Sequence, residues 1–181
     1  ITQSNYYLEA ENANALVGAY VLPDTSASNG KKIYYNTTYN VYGHAKFNWV
    51  WDSAKTYSIW TRQYRSVGSN RGIYLYNDKQ ILISNSWKAA TTTGKWEWVY
   101  HGDYTKSQFG SAIIVKGDGK GGELYLDRIL IAEPGYNPNT CNSNVDCPTG
   151  YGCSNGACIE DVSKIYQCNN LEELSFFLNP R

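Results

Sequence analysis

The stretch YYLEAENA, residues 6–13, places Glu9 and Glu11 one residue apart in a run that is typical of a β-strand. Residues i and i+2 of a strand lie on the same face, so the two carboxylates are expected side by side. Like charges at that spacing repel each other unless something offsets the repulsion. Two residues of one strand make a poor catalytic pair, because the acid and nucleophile of a glycosidase must flank the bond that is cleaved. One interpretation that remains is two solvated residues on an edge strand.

The sequence around this stretch also predicts strands. Short segments rich in β-branched and aromatic residues alternate with turn signals such as PDTSASNG and KGDGKGG, a pattern that favours a β-sandwich or jelly roll. In WEWVY, for example, Trp96, Trp98 and Tyr100 are expected on one face. No helix-period segment of useful length precedes residue 160. The other predicted strands are KKIYYN (31–36), HAKFNWVW (44–51), YSIWTRQY (57–64), GIYLYN (72–77), KQILIS (79–84), WEWVYHG (96–102), SAIIVKG (111–117) and ELYLDRILIA (123–132).

The composition is rich in aromatic residues. They make up 15% of the 181 residues, with 17 Tyr and 6 Trp, while charged residues reach only 18%. Tyr and Trp suit surfaces that contact a ligand, although a β-sandwich also uses aromatics in its strands. The 16 basic and 16 acidic residues cancel, and no basic block indicates nucleic-acid binding. There is no apolar run of membrane-spanning length and no signal peptide at the start.

The cysteines predict a cross-linked segment in an oxidising, extracellular setting. This loop-rich segment can hardly bury a core of its own, so disulfides are the natural way to hold it. A zinc site is the weaker alternative, because the gaps between cysteines are wider than in C-x₂-C pairs and no His follows. A sequon at Asn36 is compatible with a secreted glycoprotein. All five cysteines lie late in the chain: Cys141, Cys147, Cys153, Cys158 and Cys168.

The residue composition changes near residue 134, which predicts two parts, a β-sandwich over 1–134 and an appendage over 135–181. EPGYNPNT, residues 133–140, is typical of a linker. The appendage would hold the disulfide-rich knot and a short helix with Asn170 as N-cap and Glu173 at the capping-box position. Such a helix is too short to stand alone and must dock on this chain or a neighbour.

Five segments in order resemble the calcium-containing carbohydrate-binding modules of families 6, 35 and 36. They are EAEN, SASNGKKIYY, YSIWTRQY, TGKWEW and LYLDRILIA, and the resemblance covers residues 6–132. Its strongest element is the opening EAE paired with the closing LDRI. It implies a galactose-binding-like jelly roll that binds glycans and is usually appended to secreted polysaccharide-active enzymes.

The resemblance also implies a structural calcium ion. The family positions correspond to Glu9, Glu11 and Asp127, and backbone carbonyls of the SNGKK turn, from Asn29 to Lys31, would complete the site. Calcium is a hard cation that takes several oxygen ligands of this kind. A bound ion would offset the repulsion between the two glutamates and tie the first strand to the last.

The same resemblance suggests where a sugar would bind. Aromatic rings stack on the apolar face of a pyranose, and a few polar groups bind its hydroxyls. Tyr125 stands where the family has an Asn that orients the sugar. An arginine beside the cleft would favour acidic sugars. The expected ligand-binding residues are Trp96, Tyr39 or its neighbours Tyr35 and Tyr42, with Tyr125, Arg62 and Asn70, and with Arg65 and Arg71 as further polar partners.

We expect no catalysis, because His44 and His101 have no recognisable partner spacing. The predicted function is non-catalytic binding of extracellular carbohydrate. The alternative is a structural subunit of an extracellular fibre, sheath or adhesin. It draws on Cys168, which would be left for an intermolecular bridge if the other four pair as Cys141–Cys153 and Cys147–Cys158.

Overall fold

The computed structural model describes residues 5–35, 43–48, 55–84, 86–140, 151–154 and 157–160. The chain divides into two units, Ile1–Tyr136 and Asn137–Arg181. Two antiparallel sheets make up the first unit, which confirms the predicted all-β sandwich. One sheet contains β1 (Tyr6–Glu9), β3 (Ala19–Pro23), β4 (Lys31–Tyr35), β6 (Thr56–Arg65), β8 (Trp96–Thr105) and β10 (Leu124–Ala132). The other contains β2 (Ala15–Val17), β5 (His44–Asn48), β7 (Asn70–Tyr76) and β9 (Ala112–Lys120).

The last long strand, β10, lies in the middle of its sheet. The order is β3-β4-β10-β6-β8, and β1 also pairs with β10 beyond the end of β4. The second sheet has the order β2-β5-β9-β7. In the described part of the chain, three short helices interrupt the strands: 3₁₀ turns at Ala10–Asn12 and Ser28–Gly30, and α1 at Lys106–Phe109.

Alternation along the strands decides which side chains form the core between the sheets. Ile33 and Tyr35 on β4 are fully buried there, as are Leu124 and Leu126 on β10. The residues directly before and after each of these on the strand must therefore face the outside of the sheet. On this outer face a second apolar cluster forms from Trp60, Trp98, Leu130 and Ala132, packed against Tyr7 and Tyr136.

Two β-bulges interrupt the register of the first sheet. On β10, Leu126 lies opposite Gln63 and Arg128 opposite Arg62, which leaves Asp127 as the extra residue. On β8, Tyr100 lies opposite Trp60 and Gly102 opposite Ile59, so His101 is the extra residue. A bulge turns a side chain away from the regular alternation and commonly occurs beside a functional site.

Several predictions of elements are wrong. β1 ends at Glu9 and Glu11 lies in the 3₁₀ turn, so the two glutamates do not share one strand. KQILIS makes only an isolated bridge between Leu82 and Tyr76, and most of the predicted turn KGDGKGG continues β9 as far as Lys120. The strands β2 and β3 were not predicted.

The described part of the second unit consists of residues 137–140 and a hairpin of β11 (Tyr151–Ser154) and β12 (Ala157–Glu160). Cys153 and Cys158 lie opposite each other on it, and neither is a free thiol. Cys141, Cys147 and Cys168 lie outside the described residues, as does the C-terminal helix, so the pairing stays a prediction. Among the residues that the structure describes, no helix is long and apolar enough to cross a membrane.

Candidate functional site

Four aromatic side chains form a row across the outer face of the first sheet. The register places Tyr34 on β4 opposite Tyr125 on β10, Tyr125 opposite Tyr64 on β6, and Tyr64 opposite Trp96 on β8. We call these residues the aromatic row. Neighbouring ring centroids lie 5.6, 5.8 and 5.6 Å apart, with the rings tilted by 44 to 60°. Tyr20 on β3 lies opposite Tyr34 and extends the line to the edge of the sheet.

The row keeps part of its surface open. Tyr34, Tyr64 and Trp96 are half-buried, whereas Tyr125 is only 7% exposed. The ammonium group of Lys32 lies 3.6 Å from the centre of the Tyr125 ring and covers it. Tyr125 therefore supports its neighbours from the middle of the row, and the accessible rings are those on either side.

Polar side chains border the row at the turn before β4. The indole Nε1–H of Trp96 donates to the Ser26 hydroxyl at 3.0 Å, and that hydroxyl donates to Asp24 at 2.6 Å. Asp24 also pairs with Lys32 at 2.7 Å. Burial alone would raise the pKa of Asp24, but the contacts with Lys32 and Ser26 outweigh it and hold the pKa below its usual range. The carboxylate thus stays charged and fixes both its partners.

Arg62 connects the row to the bulge on β10. Its guanidinium lies under the Trp96 ring, 5.2 Å from the centroid, and Nη1 donates to Asp127 Oδ2 at 2.5 Å. The backbone N–H of Ser28 donates to the other oxygen, Oδ1, at 2.7 Å. Asp127 is fully buried, and its two hydrogen bonds link β10 to Arg62 on β6 and to the turn that carries Ser28.

Asp127 belongs to a cluster of charged side chains, which also contains Glu9, Glu11, Arg62 and Arg128. Arg128 reaches Glu9 at 3.5 Å and Asp127 at 3.7 Å. Burial raises the pKa of Glu9, against the opposing effect of Arg128. Oε2 of Glu9 and Oε2 of Glu11 are buried without a hydrogen-bond partner, an arrangement that is costly unless a cation or another donor binds there.

The fit to the predicted metal site is partial. The two unpartnered glutamate oxygens fit a hard cation. Each oxygen of Asp127 accepts one hydrogen bond, from Arg62 or from Ser28, and keeps further acceptor capacity, so its predicted role as a ligand stays a prediction. In the described part of the chain no group of three or more His, Cys, Asp or Glu side chains is arranged to hold a metal ion. Asn29 lies in the turn that carries Ser28, and Lys31 begins β4 directly after it.

The structure separates the predicted sugar-binding residues. Trp96 and Tyr125 lie together in the row, with Arg62 beneath it. The prediction for Tyr35 is wrong, because its side chain is fully buried and its hydroxyl donates to the Val115 carbonyl at 3.4 Å. Asn70 begins β7 in the other sheet. Tyr39 and Tyr42 lie outside the described residues, as does the sequon at Asn36.

Sequence reasoning missed the row residues Tyr34 and Tyr64 and the supporting residues Asp24, Ser26 and Lys32. One signal was present for Tyr34: it follows Ile33, and an apolar residue facing the core turns its neighbour outward. No comparable signal joined Ser26 to Trp96, because their contact spans 70 positions of the chain.

The fold of the first unit is that of known carbohydrate-binding modules. A family 35 module from Clostridium thermocellum superposes with a TM-score of 0.58 at 16% identity, covering 72% of this chain and 98% of that chain. A β-1,3-glucan-binding family 6 module from Bacillus halodurans gives 0.53 at 16% identity, covering 70% and 95%. An isomalto-dextranase from Arthrobacter globiformis T6 gives 0.53 at 16% identity, covering 70% of this chain but 23% of that chain.

At these identities the likeness shows the fold alone. No family model matches the sequence, and no curated protein matches it significantly.

Proposed function

We propose that the chain is a non-catalytic module that binds an extracellular polysaccharide along the aromatic row. The observation that carries the proposal is the row itself, which brings four aromatic rings from four neighbouring strands to one outer face. Ring faces bind the apolar side of a pyranose, and a small number of placed polar groups orient its hydroxyls. Because the rings cross several strands, we expect several consecutive sugar units to bind.

The charges beside the row favour a neutral glycan. The ammonium group of Lys32 is paired with Asp24 and the guanidinium of Arg62 with Asp127, so each positive charge lies next to a negative one. An acidic sugar would have to compete with these carboxylates. The acidic preference suggested by Arg62 in the sequence is therefore replaced by a proposal for uncharged sugars.

We also propose that a structural calcium ion stabilises the fold beside this site. Glu9 and Glu11 would supply carboxylate oxygens, and carbonyls of the turn from Asn29 to Lys31 would be further ligands, as in the family that the sequence resembles. Asp127 would remain bonded to Arg62 and hold the turn in place through Ser28. The unpartnered oxygens of the two glutamates support this assignment.

A secreted location and disulfide bonds in the second unit remain part of the proposal. They agree with the extracellular setting that the cysteines predict. The alternative, a structural subunit bridged through Cys168, gains no support from a specific contact in the described residues.

Affinity electrophoresis through gels that contain neutral polysaccharides tests the function. The wild-type protein should be retarded by at least one β-glucan, xylan, mannan or galactan. Trp96→Ala removes an accessible ring and should cut the affinity about tenfold or more. Trp87→Ala is the matched control, since Trp87 is exposed but packs against Gly72 on the other sheet. No retardation by any polysaccharide, or equal retardation of both variants and the wild type, would reject the proposal.

A further inference from the structure

Residues 15–23, with the sequence ALVGAYVLP, form one edge strand of each sheet. β2 is the end strand of the second sheet, β3 is the end strand of the first, and Gly18 joins them directly. In the described part of the chain, no strand pairs with the far side of either one. We call residues 15–23 the apolar edge, because none of their side chains carries a charge.

The apolar edge is exposed to a degree that is unusual for a monomer. Val17, Tyr20, Val21 and Leu22 are 48%, 53%, 37% and 37% exposed. Natural proteins commonly protect the edge of a sheet with charged side chains, which this segment lacks. Contiguous exposed apolar surface of this kind is typical of a site where another protein chain binds.

The ladder between β3 and β4 shows which backbone groups of β3 face the free side. The Asp24 N–H donates to the Gly30 carbonyl at 2.9 Å, in line with the register of the two strands. Hydrogen-bonded pairs alternate along an antiparallel ladder, so Leu22 also bonds to β4. The N–H and C=O groups of Ala19 and Val21 therefore point away from β4, toward the side where another strand can pair.

We propose that a second copy of this chain occupies the edge, with β3 paired to β3 in an antiparallel arrangement centred on Val21. Each Val21 N–H donates to the Val21 carbonyl of the other copy. Each Tyr20 lies beside Leu22 of the second copy on the outer face, and such aromatic–aliphatic pairs stabilise a sheet. Ala19 lies opposite Pro23, whose carbonyl accepts although it has no N–H to donate.

Charge and size favour a second copy over an unrelated partner. A charged partner finds no opposite charge on this edge, whereas every copy of the chain supplies an uncharged strand of matching length. The 16 basic and 16 acidic residues of the chain cancel, so two copies do not repel each other at long range. Because β3 has only 5 residues, the interface is small, and the association is expected to be weak and to depend on concentration.

The pairing has a consequence for the aromatic row. Paired residues share a face of the sheet, so the rows of both copies lie on the same side of one continuous sheet. Tyr20, which extends each row to the edge, lies at the join between the two copies. The dimer itself does not depend on glycan binding at the row.

Sedimentation velocity at increasing protein concentration tests the association. The weight-average mass should rise from that of the monomer toward that of the dimer. Val21→Lys places like charges opposite each other at the centre and should weaken the association at least tenfold. Val67→Lys is the matched control, because Val67 is 83% exposed in the turn between β6 and β7, and it should associate as the wild type does. Trp96→Ala should also dimerise normally, which separates this test from that of glycan binding.

Thermal unfolding establishes that each variant is folded, and Tyr20→Lys, at a more exposed position of β3, provides a second disruption of the edge. Hydrogen exchange of the ¹⁵N-labelled protein then locates the interface. The Val21 N–H should exchange slowly only at concentrations where the dimer forms, whereas the Leu22 N–H, bonded to β4, should be slow at every concentration. A protein that stays monomeric, dimerisation that neither folded lysine variant of β3 weakens, or Val21 exchange that is independent of concentration would each overturn the proposal.

Discussion

At the scale of single residues, two adjacent tyrosines show how the alternation of a strand places one side chain in the core and the next on the outer face. Tyr35 faces the core, and its ring lies against the backbone of Gly117, where a side chain would collide with it. Tyr34 faces outward into the aromatic row. The two residues have the same chemistry, so only their position relative to Ile33 distinguishes a core residue from one on the outer face.

This difference predicts opposite phenotypes for two neighbouring substitutions. Tyr35→Ala should lower the free energy of unfolding by about 3–5 kcal/mol, as for other large aromatics removed from a core. Tyr34→Ala should change it by less than about 1 kcal/mol but weaken polysaccharide binding about tenfold. Denaturant unfolding and affinity electrophoresis of the two variants provide the measurements. A strongly destabilised Tyr34→Ala, or full affinity in it, would contradict the assignment.

Part of the candidate site could be predicted from the sequence at this scale. Trp96 follows a turn at the start of an alternating strand, which distinguished it from the buried Trp60 and Trp98. Sequence reasoning chose Tyr35 rather than Tyr34, which was wrong. It did not consider that Tyr35 shares a face of the strand with the apolar Ile33, whereas Tyr34 lies on the opposite face. Tyr64 was missed because its place in the row depends on the register between β6 and β10, which a single sequence does not specify.

At the scale of elements, the bulge on β10 joins the first strand, the turn before β4 and the aromatic row. The extra residue, Asp127, accepts from Arg62 and from the Ser28 backbone, and Arg62 in turn lies under Trp96. Removing one partner of a buried ion pair leaves the other charged and unpaired, which costs far more than the pair itself contributes.

Arg62→Met should therefore destabilise the protein by about 3–5 kcal/mol and weaken polysaccharide binding through the loss of support for Trp96. The matched control is Lys55→Met, which removes an exposed ion pair with Glu133 at 3.2 Å and should cost less than about 1 kcal/mol. Chemical denaturation of both variants measures the difference. Equal, small losses of unfolding free energy in the two variants would show that the contact between Arg62 and Asp127 does not stabilise the fold.

Glu9, at the end of β1, and Glu11, just after it, predict a response to chelation. With free calcium at a hundred times its Kd, bound calcium would add about 2.7 kcal/mol. Removing it would then lower Tm by about 5–10 °C for a chain of this size. Thermal unfolding with calcium and with a chelator measures the shift. Glu11→Gln should abolish most of this Tm shift. Glu133→Gln, which changes a carboxylate outside the cluster, should leave the shift in place.

A Tm that does not respond to chelation, in protein confirmed to be free of calcium, would exclude the metal. The unpartnered glutamate oxygens would then need another explanation, such as protonation of Glu9, whose pKa burial raises.

At the scale of the whole molecule, the sequence predicted a sandwich because its long strands alternate clearly and its turns contain Gly, Asn and Pro. It missed β2 and β3, which are short and mostly exposed and so lack the apolar alternation of a buried strand. It also predicted a full strand at KQILIS, where the apolar residues Ile81 and Leu82 are exposed.

The fold brings the row together from positions 34, 64, 96 and 125, so the central claim is that this one outer face binds the glycan. Titration of the ¹⁵N-labelled protein with an oligosaccharide of a retarding neutral polysaccharide is the most direct test. We predict saturable shifts of the Trp96 indole N–H and of the backbone signals of Tyr34 and Tyr64, with Tyr74 and Tyr76 on the other sheet unaffected. Shifts confined to the other sheet, or none in the row, would contradict the account.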